Sequence, residues 1–169
     1  MNSRFLPALF VLAFTSFAFA APSTSAAMNL LGKRAPAFTL PDSAGGTPLE
    51  LAGLQHGSTV IVLVVASWSP LCRAAMPDLV EFAASHPELA FVGVAITELH
   101  GADGVGHFID EFHVPFPIVM GNELFEHLYR TNVAPTMFVL DRDGIIRSVL
   151  VGNDARAEQL QIALRSLPR

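Results

Sequence analysis

Two side chains three positions apart, Ser69 and Cys72, are the residues of this sequence best suited to nucleophilic chemistry. They lie in the run Ala-Ser-Trp-Ser-Pro-Leu-Cys-Arg over 66–73, and Cys72 is the only cysteine among 169 residues. Serine is a good helix N-cap and Pro70 fits the first helical position, which places Cys72 in the first turn of a predicted helix. The free N–H groups and the dipole at that end of a helix favour a thiolate. This geometry is typical of a redox thiol.

The reactivity of Cys72 depends on two opposing effects. The helix N-terminus lowers a thiol pKa, whereas burial among the neighbouring Leu71, Ala75 and Met76 raises it by disfavouring the anion. Arg73 is adjacent in sequence but about 100° around the helix, so we expect it to point to solvent. We therefore expect a slow, poorly accessible thiol with a pKa at or above the free value of about 8.5. A buried and inert cysteine is the alternative interpretation.

The elements that must position these residues are a strand before them and a strand after the helix. Residues 59–66 form a continuous, β-branched apolar run, typical of a parallel strand buried on both faces. A helix follows, and residues 89–96 form a second buried strand, which completes a right-handed βαβ unit. The residues that we expect on the buried face of the helix are at helical spacing: Leu71, Ala75, Leu79 and Phe82.

The rest of the chain supplies further strands and helices around this unit. Residues 38–51 predict a short N-terminal hairpin, and Asp141-Arg142-Asp143-Gly144 predicts a second hairpin between strands 136–140 and 145–151. The glycine-rich stretch 97–106 is interpreted as a loop. Further helices are predicted around Phe108 and Phe112, around Leu124 to Tyr129, and over 155–167. The order predicts an α/β domain with a central mixed β-sheet flanked by helices and an N-terminal β-hairpin extension.

The segment from Trp68 to Pro77 resembles the Trp-Cys-Pro-x-Cys-(Arg/Lys)-x-x-x-Pro signature of thioredoxin-like proteins. The similarity is closest to the TlpA/ResA branch of extracytoplasmic thiol–disulfide oxidoreductases, also grouped as redoxins or AhpC/TSA-like proteins. It runs from about Leu31 to the C-terminus. It includes residues 32–38 and the run Val-Ala-Pro-Thr over 133–136, where that family has its cis-proline. The resemblance implies a thioredoxin-like fold.

The resemblance also assigns roles to the site residues, with one departure. The position of the family's nucleophilic first cysteine is Ser69, and Cys72 occupies the position of the resolving thiol. Dithiol exchange needs two sulfurs, so we expect impaired reductase activity. Leu63 stands where thioredoxin has an acidic residue, and no acid or base occurs between Thr59 and Cys72. Glu98, at the end of the next strand, is a candidate neighbour of the site, but the sequence does not show its distance from Cys72.

The resemblance implies a docking surface as well, made of Trp68, Pro70, Ala134 and a cis Pro135. The expected partners are protein thiols and disulfides or a client protein, with no cofactor. Three functions stay open: an impaired thiol–disulfide oxidoreductase, a non-catalytic docking protein that uses the same groove, and a one-cysteine peroxidase. The Ser-x-x-Cys spacing resembles peroxiredoxins, but Val65 stands where that family has a proline. An alternative interpretation of Ser69 is that it caps the helix and takes no part in chemistry.

Metal and nucleic-acid binding are not indicated. His100, His107 and His113 share one region, but no His-x-x-x-His or Cys-x-x-Cys spacing is present, so no metal site is predicted. The formal net charge is −5, and lysine and arginine are not clustered. An acidic chain of this kind argues against nucleic acid as a partner.

The N-terminus predicts export. Residues 1–20 combine Arg4, an apolar run and a final Ala-Phe-Ala, which is typical of a cleaved signal peptide. Residues 21–30 are then expected to be a flexible tether and 31–169 the thioredoxin-like domain. The expected location is periplasmic or otherwise secreted, without stable membrane insertion after cleavage. The alternative is an anchor formed by residues 5–21, which approach the length of a membrane span.

Overall fold

Helices and strands alternate through residues 24–168, the part of the chain that the computed structural model describes. The helices are α1 (Thr24–Met28), α2 (Leu51–Leu54), α3 (Pro70–Ser85), α4 (Gly101–Phe112), α5 (Glu123–Tyr129) and α6 (Ala157–Arg165). The strands are β1 (Thr39–Leu40), β2 (Leu49–Glu50), β3 (Val60–Val65), β4 (Ala90–Ala95), β5 (Ile118–Met120), β6 (Thr136–Leu140) and β7 (Ile146–Val151). A 3₁₀ turn, Gly152–Asp154, separates β7 from α6.

The central sheet is mixed and has five strands in the order β5-β4-β3-β6-β7. β3 pairs in parallel with β4, and β4 with β5, whereas β6 pairs antiparallel with both β3 and β7. β1 and β2 form a separate antiparallel hairpin. The predicted α/β architecture, with its mixed sheet and N-terminal hairpin, is confirmed.

β3 lies at the centre of the sheet and separates two apolar clusters. All six of its residues are at most 2% exposed, because both faces of the sheet are covered. Side chains alternate between the faces of a strand. Val60, Val62 and Val64 therefore pack with the N-terminal segment and α5, while Ile61, Leu63 and Val65 pack against residues of α3, α4 and α6.

The N-terminal segment is more ordered than the tether predicted for residues 21–30. Thr24–Met28 form α1, and Ala27 and Leu30 are buried in the cluster on the α5 side of the sheet. Burial of these apolar side chains stabilises the segment although its composition is that of a linker. The predicted signal peptide, residues 1–20, lies outside the described residues.

This segment also covers both outer strands of the sheet. The N–H of Gly32 donates to Ile146 O at 2.8 Å, and the N–H of Ile146 donates to Lys33 O at 2.9 Å, along β7. On the opposite side, the N–H of Met120 in β5 donates to Pro41 O at 2.8 Å. Backbone that precedes β3 is thus paired with β5 and with Ile146, the first residue of β7.

The loop predicted over 97–106 is wrong from Gly101 onward, because α4 begins there. Three glycines in 101–106 suggested a loop, and each costs about 1 kcal/mol relative to alanine in a helix. Val105 and Phe108 are each 1% exposed and pack against the sheet. This tertiary packing outweighs the low helix propensity. Across residues 24–168, no helix has the length and apolar character that crossing a membrane requires.

Candidate functional site

The site lies where β3 ends and α3 begins. Ser69 has extended backbone angles, φ −73° and ψ 122°, and its Oγ accepts a hydrogen bond from the N–H of Cys72 at 3.5 Å. Pro70 is the first helical residue, and the N–H of Arg73 donates to Ser69 O at 3.0 Å. The predicted N-cap and the position of Cys72 in the first helical turn are confirmed.

Cys72 is sealed beneath this turn. Its side chain is 1% exposed and packs in the same apolar cluster as Val65, Met76 and Met137. The N–H of Ala66 donates to its Sγ at 3.5 Å. Burial raises the pKa of the Cys72 thiol, and Glu98 raises it further, against the lowering effect of the Ala66 and Ser69 hydrogen bonds. The direction agrees with the expected slow, inaccessible thiol.

The predicted buried face of α3 is confirmed at Ala75, Leu79 and Phe82 but is wrong at Leu71. Leu71, expected on the buried face, is 44% exposed, whereas Cys72 and Met76 are buried beside Ala75. The side chain of Leu63 is fully buried below the helix, with Met137 opposite it on β6. The position where thioredoxin has an acid is therefore part of the apolar core.

The loop before β6 brings Ala134 and Pro135 to the same turn. The Ala134–Pro135 peptide bond is cis. The Ser69 hydroxyl donates to Ala134 O at 3.5 Å, so the predicted site residues Ser69, Cys72 and Ala134 lie together. Pro135 is buried and Ala134 half-buried, while Pro70 is exposed and Trp68 is 47% exposed.

Glu98 lies beside the site, which the sequence did not show. Its Oε1 accepts from the N–H of Ser67 at 2.7 Å, and its Oε2 accepts from the Ser67 hydroxyl. The preceding residue, Thr97, has a φ of 52° and its carbonyl oxygen accepts from Trp68 Nε1 at 2.9 Å. The parallel register, with Val65 opposite Ala95, brings these loops together and was the available signal. Nothing in the sequence indicated the positive φ of Thr97.

Arg73 does not point to solvent as expected. Its Nη1 donates to Ser67 O at 3.2 Å, and its Nη2 pairs with Glu111. The guanidinium carbon lies 5.3 Å from the ring centroid of Phe112. Glu111 and Phe112 belong to α4, so the prediction failed because the helix that receives Arg73 was only partly predicted.

The histidines considered for metal binding are spread along α4. His100 precedes the helix, His107 lies within it, and His113 ends it with a φ of 52°. Within residues 24–168, no group of three or more histidine, cysteine, aspartate or glutamate side chains is placed to hold a metal ion.

The arrangement constrains the chemistry of both candidate nucleophiles. Within residues 24–168, Ser69 has hydrogen bonds with the Cys72 amide and the Ala134 carbonyl, and neither group is a base. A serine hydroxyl without a base is a poor nucleophile near neutral pH. The Cys72 thiol is the stronger nucleophile of the two, but its reaction requires the turn to open.

Known proteins resemble this chain over most of its length. The thioredoxin-like protein YneN of Bacillus subtilis (strain 168) is 29% identical over 134 residues, covering 77% of this chain and 76% of YneN. The thiol:disulfide interchange protein DsbE of Pseudomonas fluorescens biotype C is 32% identical over 129 residues, covering 73% of this chain and 68% of DsbE.

Solved structures show the same fold. A thiol:disulfide interchange protein of the thioredoxin family from Chlorobium tepidum TLS superposes with a TM-score of 0.69 at 25% identity, covering 80% of this chain and 96% of that one. The model of the Redoxin family matches residues 30–164 of this chain. The match includes the sheet, the Ser69–Cys72 turn and the Ala134–Pro135 loop, and on this evidence the chain is a member of the Redoxin family, with a thioredoxin-like fold.

Proposed function

We propose that this protein is an exported member of the ResA/DsbE class of thiol–disulfide oxidoreductases whose dithiol reductase cycle is impaired. The class is supported by the relatives named above and by Bacillus anthracis ResA, a thiol-disulfide oxidoreductase that is 28% identical over 142 residues. The impairment is supported by the single cysteine of the chain. The site residues in this proposal are Cys72 and Ser69, with Trp68, Pro70 and the Ala134–Pro135 pair as the docking surface.

The chemistry of the class explains why one sulfur is insufficient. A thiolate attacks the substrate disulfide and forms a mixed disulfide, and one substrate sulfur leaves as a thiolate. A second thiolate then attacks the mixed disulfide, releases the other substrate sulfur and leaves the enzyme oxidised. With Ser69 in the attacking position, neither the first step nor an internal disulfide is available to the pair.

The observation that carries the proposal is the burial of Cys72, which is 1% exposed beneath a serine cap. A thiol that attacked a protein disulfide unaided would need an accessible sulfur. The same burial argues against the one-cysteine peroxidase, since peroxide must reach a thiolate. A serine at position 69 and a buried Cys72 fit a site that has the fold of a dithiol active site but lacks the two thiols that disulfide exchange needs.

The test is dithiothreitol-dependent reduction of insulin by the wild type and by Ser69→Cys. We expect no acceleration by the wild type and partial activity in Ser69→Cys, because the helix turn, Trp68 and Pro135 are in place. Ser69→Cys/Cys72→Ala is the matched control, since it carries a thiol at position 69 without a resolving partner. Wild-type turnover similar to that of a two-cysteine thioredoxin would refute the impairment. A folded but inactive Ser69→Cys would show that the surrounding site no longer supports the reaction.

A second candidate function is non-catalytic docking of a client protein. It is favoured by exposed apolar side chains around the site, on the two loops and in the first turn of α3: Trp68 is 47%, Leu99 69% and Leu71 44% exposed. Large aromatic side chains with free surface are frequent anchors of protein interfaces. We expect Trp68→Ala to weaken binding of a carboxymethylated, and therefore thiol-free, insulin B chain. Equal binding by Trp68→Ala and wild type would exclude this groove as the docking surface.

We propose export to the periplasm or beyond, with cleavage after Ala20. The basic and apolar order of residues 1–20 supports cleavage. Another relative is named the soluble secreted antigen MPT53 of Mycobacterium tuberculosis, 32% identical over 71 residues that cover 42% of this chain and 39% of that protein. Mass spectrometry of protein from the periplasmic fraction should give Ala21 as the first residue. An intact Met1 on a membrane-retained chain would instead support the anchor formed by residues 5–21.

A further inference from the structure

Ser67 and Trp68, in the loop after β3, are hydrogen-bonded to Glu98 and Thr97, in the loop after β4. Both carboxylate oxygens of Glu98 accept from Ser67, one from its N–H at 2.7 Å and one from its hydroxyl. The adjacent Thr97 O accepts from Trp68 Nε1 at 2.9 Å. The dipeptides Ser67–Trp68 and Thr97–Glu98 are thus joined by three hydrogen bonds across two loops that are about 30 positions apart in the chain.

The orientation of the indole follows from these bonds. Trp68 is 47% exposed, yet the nitrogen of its ring, which is a hydrogen-bond donor only, is bonded to the protein. An exposed side chain without such a bond samples several rotamers in solution. In Trp68 the polar edge of the ring is fixed at Thr97, and the rest of the ring presents apolar surface in one orientation.

The backbone of Thr97 carries a cost that this arrangement explains. Its φ of 52° is in the left-handed region, where a β-branched residue is a genuine outlier. Strain of this kind persists only where surrounding contacts impose it, and it concentrates at functional sites. Thr97 is also the residue whose carbonyl receives the indole N–H, and the next residue holds Ser67.

Helix α4 closes over the same pair of residues. A Cβ on Gly104 would lie 3.4 Å from Ser67 Oγ and 3.9 Å from Glu98 Oε2, in addition to 3.0 Å from His100 Cβ. The distances to Ser67 and Glu98 are ordinary van der Waals contacts, so α4 packs directly against the Ser67–Glu98 hydrogen bonds. On the other side, Arg73 bonds to Ser67 O at 3.2 Å. Ser67 is held by hydrogen bonds with the loop after β4 and with α3, and by the packing of α4.

We propose that Glu98 and Thr97 are positioning residues that hold Trp68 as a preformed docking anchor for a polypeptide segment with an apolar side chain. Glu98 acts through Ser67 and the backbone that leads to Trp68, while Thr97 acts on the indole directly. This inference rests on the proposed docking surface around Ser69. A side chain that is already immobilised spares the free energy of ordering it on binding.

The test uses the fact that Trp68 is the only tryptophan of the chain, so that intrinsic fluorescence reports on this residue alone. Glu98→Ala removes both acceptors. We expect its Trp68 to show faster local motion in time-resolved anisotropy. We also expect its acrylamide quenching constant to rise about two-fold, because the ring is half-exposed in the wild type. Ser67→Ala, which removes the hydroxyl but keeps the N–H, should give an intermediate result and serves if Glu98→Ala does not fold.

Two further variants separate geometry from charge and from general destabilisation. Glu98→Gln keeps an oxygen for the Ser67 N–H and an amide that can donate to its hydroxyl, so it should restore the wild-type anisotropy. Glu88→Ala removes an exposed carboxylate from the region between α3 and β4, away from these loops, and should change nothing. Unchanged Trp68 motion in folded Glu98→Ala and Ser67→Ala would overturn the positioning role.

Binding is measured with the carboxymethylated insulin B chain, which contains no tryptophan. We expect Glu98→Ala to bind it about 3- to 10-fold more weakly than wild type and Glu98→Gln to bind with wild-type affinity. Unaltered affinity in a Glu98→Ala variant whose indole has become mobile would overturn the claim that preforming the anchor matters. Wild-type binding no tighter than that of Trp68→Ala would refute the docking function itself, while a loss of anisotropy in Glu98→Ala would still support the positioning role.

Discussion

Cys72 is subject to two opposing influences, and the depth of the thiol determines which is stronger. The first turn of α3 offers free N–H groups, and the Ser69 hydroxyl contacts the Cys72 amide. These favour the anion, but a sulfur that is 1% exposed has lost the solvation that an anion needs. Burial therefore raises the pKa of the thiol although the helix position alone would lower it.

We predict that Cys72 is alkylated slowly in the native protein. Iodoacetamide should modify it at least about 100-fold more slowly at pH 7 than in the same protein unfolded in guanidinium chloride, because reaction requires local opening. The rate should increase with pH as thiolate forms. Mass spectrometry of quenched samples measures both rates. Rapid native alkylation at pH 6 would contradict the prediction and favour a single-cysteine redox enzyme.

The raised pKa of Cys72 also predicts the pH dependence of stability. A thiol whose folded pKa exceeds its unfolded pKa binds protons more tightly in the native state. Its contribution is complete below about pH 8.5 and is lost as pH rises towards the folded pKa, by up to about 1.4 kcal/mol per pH unit. Guanidinium unfolding at pH 7 and 9.5 should show a larger alkaline loss in wild type than in Cys72→Ala. Equal losses would mean that the folded and unfolded pKa values coincide.

At the scale of single residues, the sequence predicted only those features that depend on near neighbours in the chain. The N-cap at Ser69 and the helical position of Cys72 follow from short-range rules that act within four residues. The partners of Trp68 and Arg73 come from elements about 30 to 40 positions away. The positive φ of Thr97 contradicts the preference of its own side chain, so no residue-by-residue rule would predict it.

At the scale of elements, α4 shows how packing overrides propensity. The strands and hairpins were predictable because β-branched runs and the Asp-Arg-Asp-Gly turn act locally. Glycines at 101, 104 and 106 hid the start of α4. They are not equivalent in the structure: a Cβ on Gly106 would meet nothing within 4 Å, whereas one on Gly104 would approach His100 Cβ to 3.0 Å.

We predict opposite effects for alanine at these two positions. Gly106→Ala should stabilise the protein by about 0.5–1 kcal/mol, because alanine is the better helix former and has free space. Gly104→Ala gains the same propensity but brings a Cβ to 3.0 Å from His100 Cβ, so we expect a net loss of stability. Guanidinium unfolding of the two variants provides the comparison. Equal stabilisation would show that α4 shifts freely against the loops that carry Trp68 and Glu98.

The β6–β7 hairpin depends on one buried carboxylate. Asp141, 4% exposed, accepts from the N–H groups of Asp143 and Ile145, each at 2.9 Å, and pairs with Arg147 at 2.6 Å. Burial opposes its ionisation. The hydrogen bonds from Ile145, Arg147 and Asp143 outweigh that effect and hold the pKa of Asp141 below its usual range.

We therefore predict that Asp141→Asn destabilises the protein at neutral pH by about 1.5–3 kcal/mol. The folded pKa lies below the unfolded value, so the contribution is present above about pH 4 and is lost as pH falls through the folded pKa. Urea unfolding at pH 7 and pH 3 should show the difference between Asp141→Asn and wild type shrinking in acid. A difference that does not change with pH would indicate that packing, not charge, stabilises the turn.

At the scale of the whole molecule, the segment before β3 completes the fold. Its buried side chains extend one apolar cluster, and its backbone pairs with both outer strands of the sheet. The sequence indicated the hairpin within this segment but not the edge pairing, because such contacts join residues that are about 80 to 115 positions apart. The small and polar residues of this segment predicted a flexible tether, whereas Ala27 and Leu30 are buried in the core.

We predict slow hydrogen exchange at the outer strands. The amides of Ile146 and Met120 donate to Lys33 and Pro41, so they should be protected as backbone amides within a sheet are. Exchange measured by NMR at neutral pH should place both among the protected amides rather than with those of exposed turns. Rapid exchange at Ile146 alone would show that the pairing of residues 32–35 with β7 opens independently of the core.

The pairing of β5 and of the start of β7 also restricts how this protein can bind another chain. A sheet with a free border can recruit a foreign strand, extending the ladder into a dimer, a peptide complex or a fibre. Here Gly32 and Lys33 occupy the border at β7, and Pro41 and Ser43 occupy the border at β5. Ladder extension at these positions would first require the chain to release its own backbone, so strand addition is disfavoured along β5 and at the start of β7.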